Sequence, residues 1–252
     1  MNDLFSIKDK IILVTGGGNG LGETVSFGLA NSGSIVYCFD KKFKQIRKKN
    51  NENIFQINCD VTDKQDFEKH CKKIFQKHKK IDSLLNIAGI GLKDDSKFYS
   101  LENWNKTISV NLTATFNCSQ TAIKYMIKNG IGSIVNFTSI NAEMAFPRNP
   151  GYIAAKGGLK MLGKSLAKDW ALNGIRVNNI GPGYFRTDMT EKSYKNKKLR
   201  KEREMRTMLG RWGKKEELIG PCIFLISDAS SYITGQDIYV DGGWSSNGLS
   251  EK

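Results

Sequence analysis

The sequence predicts an α/β protein, a single domain built on a doubly wound parallel sheet with helices on both faces. Three observations predict this fold class. Short, continuously apolar segments alternate along the chain with longer segments of helical periodicity, which is typical of parallel strands connected by crossover helices. A glycine-rich turn joins the first strand to the first helix. A length of 252 residues is enough for one large core, so one domain, 1–252, is expected.

The predicted elements come from two patterns, taken in chain order. Apolar runs rich in β-branched residues predict strands at 10–15, 34–40, 54–59, 83–86, 133–138, 176–180 and 237–240. Segments with apolar residues three and four positions apart predict helices at 20–31, 67–75, 112–127, 152–173 and 216–225. The stretch at about 183–213 shows neither pattern, and a long irregular stretch of this kind predicts a mobile lid over the substrate.

The charge balance limits the classes of function. The formal net charge is +14 at pH 7, but the excess is spread along the chain, so no nucleic-acid partner is expected. The densest basic run, 191–206, has eight Lys and Arg against three Glu. The preferred interpretation of this run is a solvated helix face with i,i+4 ion pairs.

Cysteine and histidine usage indicates the compartment. Five cysteines without CxxC spacing and only two histidines disfavour a zinc site or a disulfide framework. The amino-terminal residues carry charges where a signal peptide is apolar, and no apolar run approaches membrane-spanning length. We therefore expect a cytoplasmic protein without a metal or a membrane partner.

The turn after the first strand reads TGGGNGLG at 15–22. Its spacing is GxxxGxG, which differs from the common dinucleotide fingerprint GxGxxG. Backbone N–H groups in such a turn can approach a pyrophosphate that lies against the amino end of the next helix. The candidate contacts are Gly16, Gly18, Asn19, Gly20, Leu21 and Gly22.

An acidic residue, Asp40, ends the second predicted strand. A carboxylate at this position can accept both hydroxyls of an adenosine ribose, and it repels a 2′-phosphate. NAD is therefore expected, with NADP disfavoured. Lys41 and Lys42 follow at once and could reach a phosphate, so the preference between the two cofactors stays open.

Tyr152 and Lys156 lie four residues apart in the segment GYIAAKGG. Within a helix, this spacing puts both side chains on the same face. The small apolar neighbours offer neither group an obvious partner. Taken alone, the pair is more typical of a surface helix than of a reactive site.

Taken together and in order, the motifs resemble those of the short-chain dehydrogenase/reductase family over nearly the whole chain. They are TGGGNGLG, Cys59-Asp60-Val61, Asn86-Ile87-Ala88-Gly89, Asn111, Ser139, Tyr152-x-x-x-Lys156, Pro182-Gly183 with Thr187, and Asp241-Gly242-Gly243. Ile87 departs from the family, which often has a second Asn there. The resemblance implies a Rossmann-like fold and a nicotinamide-dependent oxidoreductase.

The resemblance also implies a catalytic set of Asn111, Ser139, Tyr152 and Lys156. Tyr152 would be the general acid/base that exchanges a proton with the substrate oxygen. A free phenol has a pKa of ~10, and Lys156 would lower it by stabilising the phenolate, with help from the oxidised nicotinamide. Ser139 would hydrogen-bond the substrate oxygen, and Asn111 would hold a water that links Lys156 to solvent.

Further cofactor contacts are implied by the same resemblance, and they follow the parts of the dinucleotide. They are Asp60 and Val61 for adenine; Asn86, Ala88 and Gly89 for the adenosine ribose side; Lys156 beside Tyr152 for the nicotinamide ribose; and the backbone at Pro182, Gly183 and Phe185 with the Thr187 hydroxyl for the carboxamide.

The segments GRWG at 210–213 and VDGGW at 240–244 resemble the sugar-acid dehydrogenases of this family, of the gluconate 5-dehydrogenase type. The resemblance implies NAD(H)-dependent interconversion of a secondary alcohol and a ketone on an anionic small molecule, a sugar acid or polyol. Besides Ser139 and Tyr152, we expect Arg148 and Arg186 to contact this substrate, because an arginine can pair with its carboxylate.

Two other functions stay open. A 3-oxoacyl-[acyl-carrier-protein] reductase would use the basic lid to dock an acidic carrier, although such enzymes usually prefer NADP, which Asp40 disfavours. A non-catalytic nucleotide-sensing or RNA-binding protein on this scaffold would not need the complete catalytic set. Relatives form dimer faces from the helices at 112–127 and 152–173, so a homotetramer is expected.

Overall fold

The computed structural model describes residues 3–43 and 51–248. Seven parallel strands form one sheet in the order β3-β2-β1-β4-β5-β6-β7. The strands are β1 (Ile11–Thr15), β2 (Ile35–Asp40), β3 (Ile54–Asn58), β4 (Ser83–Asn86), β5 (Gly132–Phe137), β6 (Ile175–Pro182) and β7 (Asp237–Val240). The strand order reverses between β1 and β4, and the predicted fold class is confirmed.

The central strands are buried on both faces, which explains why their sequences are continuously apolar. Along β1, Ile11 and Leu13 point into one apolar cluster, whereas Ile12 and Val14 point into a second cluster on the other face. A strand covered on one face only would alternate polar and apolar residues. The sheet therefore lies between two helical layers.

The helices are α1 (Gly20–Asn31), α2 (Lys64–His78), α3 (Leu101–Ile108), α4 (Ala114–Met126), α5 (Pro150–Trp170), α6 (Glu191–Lys195), α7 (Lys197–Arg206) and α8 (Ile219–Ile226). Side chains of α1 and α8 cover one face of the sheet, and those of α2, α4 and α5 cover the other. In the described part of the chain, no helix is both long and apolar enough to cross a membrane.

The helix expected at 112–127 begins earlier than predicted. Ser100 caps α3 by accepting a hydrogen bond from the Asn103 N–H at 3.1 Å. From there, α3 continues into α4 through a π-helical turn, Ser109–Thr113. π-Helical turns are often found at functional sites, and this one contains the predicted catalytic Asn111.

The prediction of an irregular stretch at 183–213 is wrong, because two short helices, α6 and α7, lie within it. The structure agrees with the other prediction for this part of the chain, that the basic run 191–206 is helical and has i,i+4 ion pairs. Lys195 pairs with Glu191 at 3.5 Å, and Arg200 pairs with Glu204 at 3.3 Å.

A row of buried amide side chains crosses the strands that lead to the site. Asn86, Asn136, Asn179 and Asp237 are register partners on β4, β5, β6 and β7. Asn86 donates to Asn136 at 3.0 Å, Asn136 donates to Asn179 at 3.1 Å, and Asn179 donates to Asp237 at 2.8 Å. Buried polar groups are costly when unpaired, so this row favours one register of the four strands.

Replacing the middle of the row, Asn136→Ala, is expected to lower the free energy of unfolding by about 2 to 5 kcal/mol, because two buried amide groups lose a partner. Urea denaturation followed by tryptophan fluorescence measures this loss. The control is Asn129→Ala, at an exposed residue whose amide reaches only the Lys79 carbonyl, at 3.3 Å. Equal stability of the two variants would contradict a structural role for the row.

Candidate active site

Tyr152 and Lys156 lie in the first two turns of α5, which begins at Pro150. The Lys156 side chain is buried, with 4% of its surface exposed. Its Nζ donates to the carbonyl oxygen of Phe137, the last residue of β5, at 2.5 Å. The same Nζ lies 5.6 Å from the centroid of the Tyr152 ring. The structure therefore brings the two predicted partners together at the carboxyl end of β5.

Burial shifts both groups towards their neutral forms. It lowers the pKa of Lys156 to about 8. It raises the pKa of Tyr152 to about 12, although hydrogen bonding with Ser139 opposes this rise. In the protein alone, burial therefore outweighs the hydrogen bond with Ser139, and the pKa of Tyr152 lies above its ordinary value. A phenolate at neutral pH needs a further positive charge nearby.

Ser139 comes two residues after the end of β5 and is 8% exposed. Its Oγ accepts a hydrogen bond from the Asn141 N–H at 3.1 Å, which caps a short 3₁₀ turn. The same hydroxyl interacts with Tyr152. Ser139 thus has both a capping role and a position beside the predicted acid/base.

Asn111 is fully buried in the π-helical turn. Its Nδ2 donates to the carbonyl oxygens of Ile90 and Thr107, both at 2.9 Å, and its Oδ1 accepts from the Ile90 N–H at 3.0 Å. These bonds fix the loop after β4. They leave the side chain only one lone pair on Oδ1 for the predicted water, so its main role in the structure is to position the loop.

The fixed loop passes over Lys156 at Gly89. A Cβ atom at this position would lie 2.7 Å from Asn111 Oδ1 and 3.8 Å from Lys156 Nζ. Any larger residue would press on the amide that holds the loop. The requirement for glycine here is therefore steric, and it links the motif after β4 to the catalytic residues.

The glycine turn presents backbone donors at the amino end of α1. Gly20 has a φ of 61°, which favours glycine, and a Cβ there would be in van der Waals contact with a methyl carbon of Thr187, at 3.9 Å. The Asn19 side chain does not cap the helix, so the first N–H groups of α1 remain available to an anion. These donors, with the positive end of the helix dipole, suit the pyrophosphate of a dinucleotide.

Asp40 closes the glycine turn on the other side. Its Oδ2 accepts from the Gly18 N–H at 2.9 Å, and its Oδ1 accepts from the Lys42 N–H at 3.2 Å. A Cβ at Gly18 would lie 2.8 Å from the Asp40 carboxyl carbon. Lys41 points instead to Asp60, with its Nζ 2.6 Å from the carboxylate. The acidic group predicted to bind ribose therefore lies directly against the turn.

Three of the predicted cofactor residues have side chains that point into the protein. Asn86 belongs to the buried amide row, Val61 packs in one apolar cluster, and the Phe185 ring packs in the other. Contacts from these residues to a cofactor can therefore come only from main-chain atoms. The remaining predicted contacts surround the turn or end β6: Gly16, Leu21, Gly22, Ala88, Pro182 and Gly183.

The two arginines predicted to bind a carboxylate are placed differently. Both Nε and Nη2 of Arg186 donate to Glu191, each at 2.9 Å, and its guanidinium stacks 4.6 Å from the Tyr194 ring centroid. In the structure the Arg186 charge is paired with Glu191, and its contact with a substrate stays a prediction. Arg148 is exposed in a left-handed conformation, with a φ of 61°, and its carbonyl accepts from the Asp94 N–H at 3.1 Å.

An aromatic cluster that sequence patterns did not reveal connects the segment 183–213, the predicted lid, to the loop between Ser139 and α5. The Tyr184 ring lies 4.9 Å from Trp244, 5.1 Å from Trp212 and 6.4 Å from Phe146, measured between ring centroids. Phe146 comes from the loop between Ser139 and α5. The four rings come from separate segments, and the tryptophans in GRWG and GGW are the only sequence signal for them.

Fold and site together define an α/β oxidoreductase that binds a dinucleotide at the carboxyl ends of its strands. Comparison with known proteins agrees. A model of one branch of the short-chain dehydrogenases, described as enoyl-(acyl carrier protein) reductase, matches residues 18–245. The chain belongs to the short-chain dehydrogenase/reductase family, and it is a nicotinamide-dependent oxidoreductase that acts on CH–OH groups.

Similar proteins include enzymes of two activities. Gluconate 5-dehydrogenase of Gluconobacter oxydans (strain 621H) is 36% identical over 251 residues, covering 96% of this chain and 96% of that protein. A 3-oxoacyl-[acyl-carrier-protein] reductase of Thermotoga maritima is 36% identical over 248 residues, covering 94% and 98%. The structure of a gluconate 5-dehydrogenase from Burkholderia cenocepacia J2315 in complex with NADP and tartrate has a TM-score of 0.93 at 32% identity, covering 97% and 98%.

The buried lysine makes stability depend on pH. Because burial lowers the pKa of Lys156 to about 8, the unfolded chain keeps a proton up to ~10.4 that the folded protein has lost. The free energy of unfolding therefore gains roughly 3 kcal/mol from this group as the pH rises from 8 to the unfolded pKa. Lys156→Met lacks this gain. Denaturation of both proteins at pH 7 and pH 10 measures the difference.

The control for this experiment is Lys164→Met, because Lys164 lies two turns further along α5 with 43% of its side chain exposed. Its stability difference from the wild type should change less with pH. A difference between wild type and Lys156→Met that is the same at both pH values would show that burial does not lower the pKa of Lys156.

Proposed function

We propose that the protein is an NAD(H)-dependent enzyme that interconverts a secondary alcohol and a ketone on a sugar acid or polyol. The observation that carries the proposal is the meeting of Ser139, Tyr152 and Lys156 at the carboxyl end of β5. Open α/β sheets bind their ligands at this edge. The relatives that are gluconate 5-dehydrogenases support the substrate class.

The proposed mechanism assigns one task to each side chain. In the oxidising direction, the Tyr152 phenolate takes the proton of the substrate hydroxyl at its Oη, while Ser139 donates a hydrogen bond to the substrate oxygen. In the reducing direction, the Tyr152 hydroxyl returns this proton to the developing alkoxide. Lys156 supplies positive charge beside the phenol, and its bond to the Phe137 carbonyl keeps that charge in one position.

A nicotinamide dinucleotide supplies or accepts the hydride when it is bound. The free N–H groups at the start of α1 would hold its pyrophosphate, and Thr187 would hold its carboxamide. Each oxygen of Asp40 accepts one main-chain N–H, which leaves lone pairs for the ribose hydroxyls. Its charge favours NAD. The Burkholderia structure holds NADP, and exposed Lys42 is the residue that would accommodate a 2′-phosphate here.

A second candidate function is the reduction of a 3-oxoacyl group on an acyl carrier protein. The relative from Thermotoga maritima favours it, and basic α7 would face an acidic carrier. Asp40 weighs against it, since these reductases usually prefer NADP. A nucleotide-sensing or RNA-binding protein without turnover is a more remote candidate, which would show salt-sensitive RNA affinity and no hydride transfer.

We further propose that the chain forms one domain and assembles as a homotetramer in the cytoplasm. An exposed apolar groove between α4 and α5 supports assembly, because Phe116 and Met161 within it are 39% and 60% exposed. Such residues are usually covered by a partner. All five cysteines are free and buried, which supports a reducing compartment.

A substrate panel tests the proposed function. NADH and NADPH absorbance is followed with ketogluconates, deoxy-ketogluconates, polyols and a 3-oxoacyl thioester. We expect turnover of a sugar acid or polyol, and Tyr152→Phe should lower kcat by roughly 10²- to 10⁴-fold because proton exchange is lost. Tyr232→Phe, at a fully exposed tyrosine, is the matched control. Turnover of the thioester alone would overturn the proposal.

Asp40→Asn tests the cofactor preference. The amide keeps the size of the side chain but removes the charge that repels a 2′-phosphate, so the ratio of kcat/KM with NADPH to that with NADH should rise at least about tenfold, or about 1.4 kcal/mol. Asp169→Asn, at an exposed position on α5, should leave the ratio unchanged. An unchanged ratio in Asp40→Asn would remove the argument for NAD.

A further inference from the structure

Two cations, Lys93 and Arg203, are near enough for the charge of one to act on the other. Lys93 is on the loop after β4, and Arg203 is on α7. Partial desolvation and the charge of Arg203 lower the pKa of Lys93. In residues 3–43 and 51–248, no salt bridge joins either side chain to an acidic group. Two like charges held near each other raise the free energy of the protein, and an anion between them would offset this cost.

Arg203 is held in place by aromatic rings and not by a carboxylate. Its guanidinium carbon lies 4.6 Å from the centroid of the Tyr184 ring and 5.8 Å from that of Trp212. The guanidinium hydrogen-bonds the Tyr184 side chain, whereas its Nη1 is shielded from solvent and has no hydrogen-bond partner among the described residues. An unsatisfied buried donor on a charged group is costly, so this nitrogen needs an acceptor that the described residues do not supply.

Three neighbouring arginines are paired with carboxylates, whereas Arg206 resembles Arg203 in lying over an aromatic ring, 5.8 Å from the Trp244 centroid. Arg186 pairs with Glu191 at 2.9 Å, Arg200 pairs with Glu204 at 3.3 Å, and Arg211 pairs with Glu217 at 2.6 Å. These three charges are therefore already neutralised. Arg203 combines a fixed guanidinium, a buried free donor and a second cation nearby, and this combination is typical of a site for an anionic ligand.

The pair lies on segments that also form the active site. Lys93 follows Gly89 by four residues in the loop that passes over Lys156, and in the same loop a Cβ at Gly91 would lie 3.3 Å from the sulfur of Met189 in the lid. Tyr184, which carries the Arg203 guanidinium, contacts Phe146 from the loop between Ser139 and α5. A substrate bound at Ser139 would therefore extend towards these two cations.

We propose that Arg203 and Lys93 bind the carboxylate of the substrate. Arg203 supplies directed donors on a rigid aromatic support, and Lys93 supplies a second positive charge. The proposal rests on the proposed function, in which the substrate is a sugar acid. It replaces Arg186, whose charge is neutralised by Glu191, as the carboxylate partner in the lid.

A matched pair of substrates tests this assignment. D-gluconate and D-gluconamide share the carbon chain and differ in the carboxylate charge. For Arg203→Gln and for Lys93→Gln, kcat/KM for D-gluconate should fall about 10- to 100-fold, the effect of losing one charge-assisted hydrogen bond. The value for D-gluconamide should change less than about threefold, because a neutral amide has no charge for the two cations to bind. Arg203→Lys should lie between the wild type and Arg203→Gln for the acid.

The control variant is Lys201→Gln, which removes one positive charge from an exposed position on the same helix. It should change neither substrate's kcat/KM, and this separates a local contact from the general field of the basic lid. Equal losses for acid and amide in Arg203→Gln would show that Arg203 only supports the fold of the lid. That result would overturn the proposal while leaving the proposed function intact.

A binding measurement separates failure of the subsite from failure of the function. D-gluconate is titrated calorimetrically into the wild-type protein and into Arg203→Gln, each saturated with NADH. If the wild type turns over neither sugar acid nor amide, the proposed function fails, yet binding to the wild type at least tenfold tighter than to Arg203→Gln still supports the subsite. Absence of D-gluconate binding to the wild type would overturn the subsite as well.

Discussion

The active site depends on one buried positive charge, the ammonium of Lys156. Burial is costly for this group, as the lowered pKa of about 8 shows, and a single carbonyl oxygen, that of Phe137, compensates for part of the cost. The loop at Gly89 passes 3.8 Å from the same nitrogen, measured from the Cβ position. The end of β5, the π-helical turn and the loop after β4 are therefore arranged around a charge that destabilises the fold, an arrangement that is typical of functional sites.

The phenol of Tyr152 is buried in the same apolar surroundings as Lys156. Burial raises the pKa of Tyr152 to about 12, so at neutral pH the protein alone holds a neutral phenol beside an ammonium, Lys156, that binds its proton more weakly than usual. A small added positive charge can reverse this balance, because charges interact strongly where water is excluded. Proton exchange would then be coupled to the redox state of the bound dinucleotide. The buried amide row through Asn136 supports this arrangement by holding the strand ends in register.

The sequence predicted the sheet well because buried parallel strands leave continuous apolar runs, as in β1. It missed α3, which is eight residues long, although Leu101, Trp104 and Ile108 have the spacing of one helix face. Tyr152, Lys156 and Ser139 could be predicted as neighbours from motif order. The partners of the arginines could not be predicted from the sequence. Arg186 donates to Glu191 and Arg203 lies over the Tyr184 ring only because of how the segment 183–213 folds. Which side chains pair depends on tertiary contacts, and the spacing of residues along the chain does not specify these contacts.

The most direct test of this account is the ionisation of Tyr152, followed by NMR of protein labelled with ¹³C at the tyrosine ring carbon that bears the hydroxyl, with Tyr152→Phe used to assign the signal. The account predicts a pKa near 12 in the free protein and a pKa below the ordinary ~10 when NAD⁺ is bound. A phenol that titrates at the same pH in both states would contradict the claim that added positive charge beside Lys156 controls the proton.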